Sequence, residues 1–387
     1  MKQRTLLRIL FLAGGLAFLA TAASAEVDCK DAQSIKGLVQ NPAAMTQDEY
    51  EAVLDTLSCC DIDQTKLAFA GKCATNEALG LLKKEKTKIP SINPLVPKLI
   101  KHSAPQVRAR AYEELSDLFG SSSQDVALAK EAIASETDPY ALKMLIWKGV
   151  HNLGNRVPEV GTFLLKMAQH EHPQVRWAAA VALGNTWSDK VPGATDAIIT
   201  LIGDPDEKVR KMACKGAGKL GDEKIIAPIT DVLKDDARAN MHGECMQGLT
   251  TLWLDYPFHK RYSEAAYRAA MDYYKKTPRT DKIPVWSSIK LAGEYAKPVG
   301  KKDAFAEWKS QASYYKPDEL IAVMTDIVKD PQANWMGRTA ALNVIGKAGG
   351  KEALDKLGPE VETLNDPKAK FIKDGYQKAL KEAEKGK

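Results

Sequence analysis

Apolar positions recur along the middle of the chain at one interval. Val107, Ala141, Val175 and Val209 stand 34 residues apart. Each follows a short polar stretch that contains a proline: Ala104-Pro105-Gln106, Asp138-Pro139-Tyr140, His172-Pro173-Gln174 and Asp204-Pro205-Asp206. Each leads into an alanine-rich run, as in Trp177 to Gly184 or Met212 to Gly221, and is preceded by an apolar run such as Val160 to Ala168 or Ala197 to Ile202. The pattern predicts a helix, a tight turn and a second helix per unit. Asp204 is the expected N-cap, with Pro205 in the first helical position and Glu207 completing the cap. Gly184 and Gly221 suit left-handed helix ends. One such unit cannot bury its own apolar face, so the units must stack.

The motif is D-P-x-V-R followed by a small-residue helix ending in Leu-Gly, clearest at His172 to Gly184 and Asp204 to Gly218. It resembles the HEAT-repeat family, in its bacterial HEAT-like form, over about residues 92–250. It returns at Asp330-Pro331-Gln332-Ala333-Asn334 and, more weakly, at Asp366-Pro367-Lys368. The resemblance implies an all-α fold, a right-handed α-solenoid of antiparallel helix pairs. It also implies that Arg108, Arg176 and Arg210 form a structural ladder between neighbouring repeats. The competing use, an arginine row gripping an anion, is already broken at Asp138 to Leu142, which lacks the arginine.

The two ends read differently. Lys2, Arg4 and Arg8, the apolar run Ile9 to Ala20 and Ala23-Ser24-Ala25 have the layout of a secretory signal peptide. The expectation is an exported protein, periplasmic or extracellular, beginning at Glu26 and without a membrane span in its mature form. Residues 26–90 are expected to form a helical N-cap, with a capped helix starting at Thr46. The repeats occupy 91–252, an irregular aromatic-rich segment 253–320, and further repeats with a charged helical end 321–387. The chain's 387 residues carry 55 basic and 50 acidic side chains. That balance, without a basic block, gives little drive toward phosphate backbones, so nucleic acid is not an expected partner.

The cysteines are even in number: Cys29, Cys59, Cys60, Cys73, Cys214 and Cys245. No C-x-x-C pair points to zinc, and export favours disulfides. Cys59 and Cys60 are expected to pair outward, one with Cys29 and one with Cys73. Cys214 and Cys245 fit a staple between consecutive second helices, with glycines 216, 218, 243 and 248 allowing close approach.

Residues 253–315 hold 13 of the chain's 27 Phe, Trp and Tyr residues. Tyr267, Tyr273 and Tyr274 are echoed by Trp308, Tyr314 and Tyr315 at an offset of 41. These rings either pack longer helices or form a contact surface, since Tyr and Trp are enriched at interface hot spots. The binding candidates are Trp253, Tyr256, Tyr267, Tyr273, Tyr274, Trp308, Tyr314 and Tyr315.

Catalytic parts are sparse. None of the six histidines belongs to an H-E-x-x-H motif, and no nucleophile elbow or phosphate loop stands in a suitable context. His170-Glu171 is the one adjacent His-Glu pair, too little for the di-iron site of HEAT-repeat hydroxylases. The phycobilin lyases share only the repeats. The expectation is a non-catalytic interaction or scaffold protein, with no cofactor and no metal, and with a protein or peptide partner or a glycan. The alternative is a metal-dependent or chromophore-modifying enzyme on the same repeats.

Overall fold

The structure is a computed structural model. It describes residues 45–84, 91–118, 123–254, 262–276, 288–290, 298–299, 302–303 and 312–385. The expected signal segment, Cys29, Tyr256 and Trp308 lie outside the described residues.

Helices account for nearly all the regular structure described. Helix α1 (Gln47–Asp55) opens with a capping box at Thr46. The Thr46 side chain accepts from the Glu49 N–H at 3.2 Å and Glu49 accepts from the Thr46 N–H at 2.7 Å. A short antiparallel hairpin follows, β1 (Ile62–Asp63) with β2 (Ala68–Phe69), and its base is closed by Cys60–Cys73. Helix α2 (Ala74–Lys84) and the short α3 (Val96–Leu99) complete the cap.

The repeats are α4 (Pro105–Leu118), α5 (Ser123–Ser135), α6 (Pro139–Met144), α7 (Glu159–Met167), α8 (Pro173–Leu183), α9 (Ala194–Ile202), α10 (Glu207–Ala217), α11 (Ile226–Leu233), α12 (His242–Leu254) and α13 (Glu264–Lys276). The second helices α4, α6, α8, α10 and α12 pack side by side in one layer. The first helices α5, α7, α9, α11 and α13 form the other. The conserved-spacing residues Val107, Ala141, Val175 and Val209 are all fully buried between the layers. So are Ala178, Ala179, Ala180 and Ala182 of α8, whose small size lets the neighbouring helices close up. Helices α14 (Pro317–Lys329), α15 (Trp335–Thr363) and α16 (Ala369–Lys385) continue the stack. α15 breaks at Gly350, whose φ of 67° only glycine adopts without strain. The fold is an all-α solenoid of paired helices.

Local details correct the sequence reading. Asp206, not Asp204, caps α10, accepting from the Lys208 and Val209 N–H groups at 2.8 and 3.1 Å. Asp204 is held by another bond, described below, and Pro205 precedes the helix. Gly221 ends its helix left-handed at φ 66° as expected, but Gly184 does not, at φ −76°. Gly184 serves packing instead: a Cβ on it would lie 2.7 Å from the Gly216 Cα of the next second helix. Gly218 and Gly248 likewise face backbone across the α10–α12 contact. There the Cys214–Cys245 disulfide joins the two helices at a Cα separation of 4.6 Å. Cys59 is disulfide-bonded as well.

Candidate functional site

Two kinds of side chain were candidates, the motif arginines and the late aromatics. The arginines sit at the starts of second helices. Arg108 Nε and Nη2 donate to both Glu136 carboxylate oxygens at 2.8 and 2.9 Å. Arg176 does the same to Asp204 at 2.7 and 2.9 Å. Each acid lies 28 residues on, at the entrance to the next second helix. Nη1 of each arginine binds two carbonyls of its own turn, His102 and Ser103 or His170 and Glu171. Both pairs are almost withdrawn from water, with the Glu136 and Asp204 side chains 1% and 5% exposed. Burial pushes the Glu136 carboxyl up, but hydrogen bonds from Arg108, the Asp138 N–H and Tyr112 outweigh it and hold it below the ordinary value.

Arg210 departs from this scheme. Its Nη1 binds the Asp204 and Pro205 carbonyls, but the residue 28 further on is Arg238, and its buried Nε has no partner. A further rung escaped the sequence reading. Arg338, 1% exposed, donates to Asp366 at 2.9 Å and to the Val328 carbonyl at 2.8 Å, again over 28 residues. The signal was available: Arg338-Thr339-Ala340-Ala341 repeats Arg176-Trp177-Ala178-Ala179. Aligning on Asp330-Pro331 hid it, because the cap of that helix is Asn334.

The late aromatics are core residues. Trp253, Tyr267, Tyr273, Tyr274, Tyr314 and Tyr315 are each 8% exposed or less. Tyr267 packs against Trp253, Tyr314 and Tyr315 with ring centroids 5.4, 5.3 and 6.2 Å away. The Tyr314 hydroxyl donates to the Trp253 carbonyl at 2.7 Å. Tyr273 meets the buried His242, and the Tyr274 hydroxyl meets Ser288 at 2.6 Å. Burial pushes the Tyr274 phenol up to about 12. Buried inside the chain, these six offer a partner almost no surface.

The surface aromatics lie elsewhere, on the face of the second-helix layer turned away from the first helices. Trp147 and Trp177, both half-buried, meet edge to face at 5.6 Å across α6 and α8. α6 does not end at Met144 but widens into a π turn, Leu145–Val150. Such turns are rare and are concentrated at functional sites. This one carries both Trp147 and Lys148, whose Nζ sits 4.1 Å from the Trp147 ring centroid. Lys143, one turn earlier, is half-buried and donates to the Leu67 carbonyl of the disulfide-closed hairpin at 2.9 Å. Burial, and after it Lys208, holds the Lys143 ammonium below its ordinary value.

The repeat interval gives little warning of these rings. Positions equivalent to Trp147 at the 34-residue interval are Glu113, Val181 and Lys215, and those equivalent to Trp177 include Lys143 and Lys211. Both columns mix charged and apolar residues, Val181 in one and the buried Ala109 in the other, so the interval alone does not place either ring at the surface. Among the described residues no group of three or more His, Cys, Asp and Glu side chains is arranged to hold a metal ion. No described helix is long and apolar enough to cross a membrane.

Comparison with known proteins bears on the repeats. No curated protein matches the chain. Among solved structures it is similar to an engineered protein, with 14% identity over 77% of this chain and 98% of that one and a TM-score of 0.27, too loose a likeness to carry an argument. Residues 161–249 match the family model described as HEAT repeats. Such repeats suggest a protein-interaction or scaffold role, through the extended surfaces that stacked units create. Over residues 161–249, where Arg176 bridges one helix pair to the next, the chain carries HEAT repeats.

Proposed function

We propose that this chain is a non-catalytic interaction module of the cell envelope or periplasm that holds a protein partner on the open face of its second helices. The observation that carries the reading is the Trp147–Trp177 pair. It leaves two large rings partly exposed beside Lys148, one of them on a π turn. Aromatic residues in such settings dominate interface energetics because they bury much area at little entropic cost. Export is supported by the layout of residues 1–25 and by disulfides at Cys60–Cys73 and Cys214–Cys245.

The test is affinity capture from the envelope fraction with cross-linking and mass spectrometry. Wild type is compared with a Trp147→Ala, Trp177→Ala double variant, both first shown to be folded. A discrete partner held by wild type and lost by the variant is the expected result. A partner held equally by both moves the interaction off this face.

A further inference from the structure

The open face carries a charge pattern as well as its two rings. On α10 and the turn that continues it, Lys208, Lys211, Lys215 and Lys219 follow one another at intervals that place them on one side of the helix. The equivalent positions on α8 are Gln174, Trp177, Val181 and Asn185, none of them charged. A basic ridge therefore runs beside an uncharged, partly aromatic trough. The acids along the face are already engaged: Glu207 pairs with Lys211 at 2.6 Å, and Glu113 pairs with Arg110. Lys148, Lys208 and Lys215 form no ion pair among the described residues. The cations crowd one another, Lys208 against Lys143 and Lys215 against Lys219. Bringing like charges together costs free energy that an anionic partner recovers.

The chain also shows what kind of molecule the face accepts. The hairpin closed by Cys60–Cys73 is laid across three second helices, largely through backbone carbonyls. Gln106 of α4 donates to the Cys60 carbonyl at 2.7 Å, Lys143 of α6 to the Leu67 carbonyl at 2.9 Å, and His172 Nε2 at the start of α8 meets the Gln64 carbonyl at 2.8 Å. The Phe69 ring rests against Tyr140 at 5.9 Å. These contacts end at the start of α8, short of Trp177 and the α10 ridge. Backbone carbonyls taken by side-chain donors, with a ring docked beside them, are the contacts of an extended polypeptide.

We infer that the open face of α6, α8 and α10 binds an extended acidic segment of a partner protein. Its carboxylates lie on the α10 lysines and an apolar side chain lies against Trp147 and Trp177. The inference rests on the reading of this face as the interaction surface, and it adds the chemistry of the partner.

The probe is a short fluorescein-labelled peptide rich in Glu with a central Leu-Tyr pair, titrated into the full chain by anisotropy. Three competitors are run beside it: the same peptide with Gln for Glu, heparin, and phosphatidylglycerol vesicles. Saturable binding of the Glu peptide is expected, weakened by salt and absent for the Gln peptide. A folded Lys208→Glu, Lys215→Glu variant should bind about tenfold or more weakly, and Trp177→Ala should also weaken binding. Undiminished binding by the lysine variant, or equal binding of the Gln peptide, overturns the inference. So does binding of heparin or vesicles with the peptides silent, which would assign the ridge to a polyanion or a lipid surface. If envelope capture yields a partner lost by the tryptophan variant while the Glu peptide fails, the face stands as the interaction surface and only its acidic chemistry is wrong. If the Glu peptide binds as expected but capture shows no dependence on the tryptophans, the wider reading falls instead.

Discussion

Two aromatic regions of this molecule have opposite fates. Residues 253–315 are dense in Trp and Tyr, yet the six described candidates there are buried against one another. The repeats hold few aromatics, yet Trp147 and Trp177 keep partly exposed rings on the open face. The difference teaches that aromatic density is a poor guide to a binding surface. Large rings clustered on successive helices find each other first, because each buried ring removes apolar area from water at about 25 cal/mol per Å². Trp147 and Trp177 meet each other across two second helices and stay partly exposed.

Truncation separates the two regions most sharply. Tyr267→Ala should cost about 3–5 kcal/mol of stability, as for other large aromatic core residues. Trp177→Ala should cost about 1 kcal/mol while removing the captured partner. Chemical denaturation of both variants checks this. Equal losses would mean that Trp177 belongs to the core after all.

The ladder allows the next test, within the repeats alone. Arg176→Leu strands the nearly buried Asp204 carboxylate and should cost about 3–5 kcal/mol. Arg210→Leu strands no acid and relieves an unpaired buried Nε, so its loss should stay near about 1 kcal/mol. Thermal melts of the pair decide whether the rungs act through charge pairing or only through the turn carbonyls that both arginines bind.

Removing the Cys214–Cys245 staple, as the double Ala variant, should cost about 2–4 kcal/mol for a loop of this size. Partner binding at the Trp147–Trp177 site should survive. A loss of binding with the fold intact would show that the spacing of α10 and α12 sets the open face.

The smallest effect expected is one of pH. His151 follows the π turn, its Nδ1 buried without a partner, and burial and then Lys148 hold it below its ordinary value of 6.5. The unfolded chain therefore binds a proton first as pH falls below about 6.5, and stability declines from there until the folded-state value is passed. Melting temperatures between neutral and mildly acidic pH should fall more in wild type than in His151→Gln. Identical profiles would remove His151 from the acid response.

Much of this was legible in residue order. The 34-residue interval, the buried Val column and the alanines of α8 specify stacked helix pairs, because only stacking hides those faces. The Thr46 cap and the Cys214–Cys245 staple are also expected from local pattern, whereas that pattern leaves open which of Cys59 and Cys60 joins Cys73, and only the structure assigns it to Cys60. The role of Asp204 did not. Its position beside a proline suits a cap, but Arg176 lies one repeat away, and a bidentate pair with a buried guanidinium is a stronger bond than a cap to backbone N–H groups. Asp206, two residues later, takes the cap instead.

The sequence by itself determined the repeat and the helix pairs, since these depend on neighbours within a few turns or on an interval that recurs. Which aromatics face inward, which arginine finds an acid 28 residues away, which cysteine closes the hairpin and where four lysines gather beside two partly exposed rings were decided only by the tertiary structure. Those outcomes depend on which helix surfaces meet after stacking. Interlayer packing then commits some rings to the core and leaves others open to a partner.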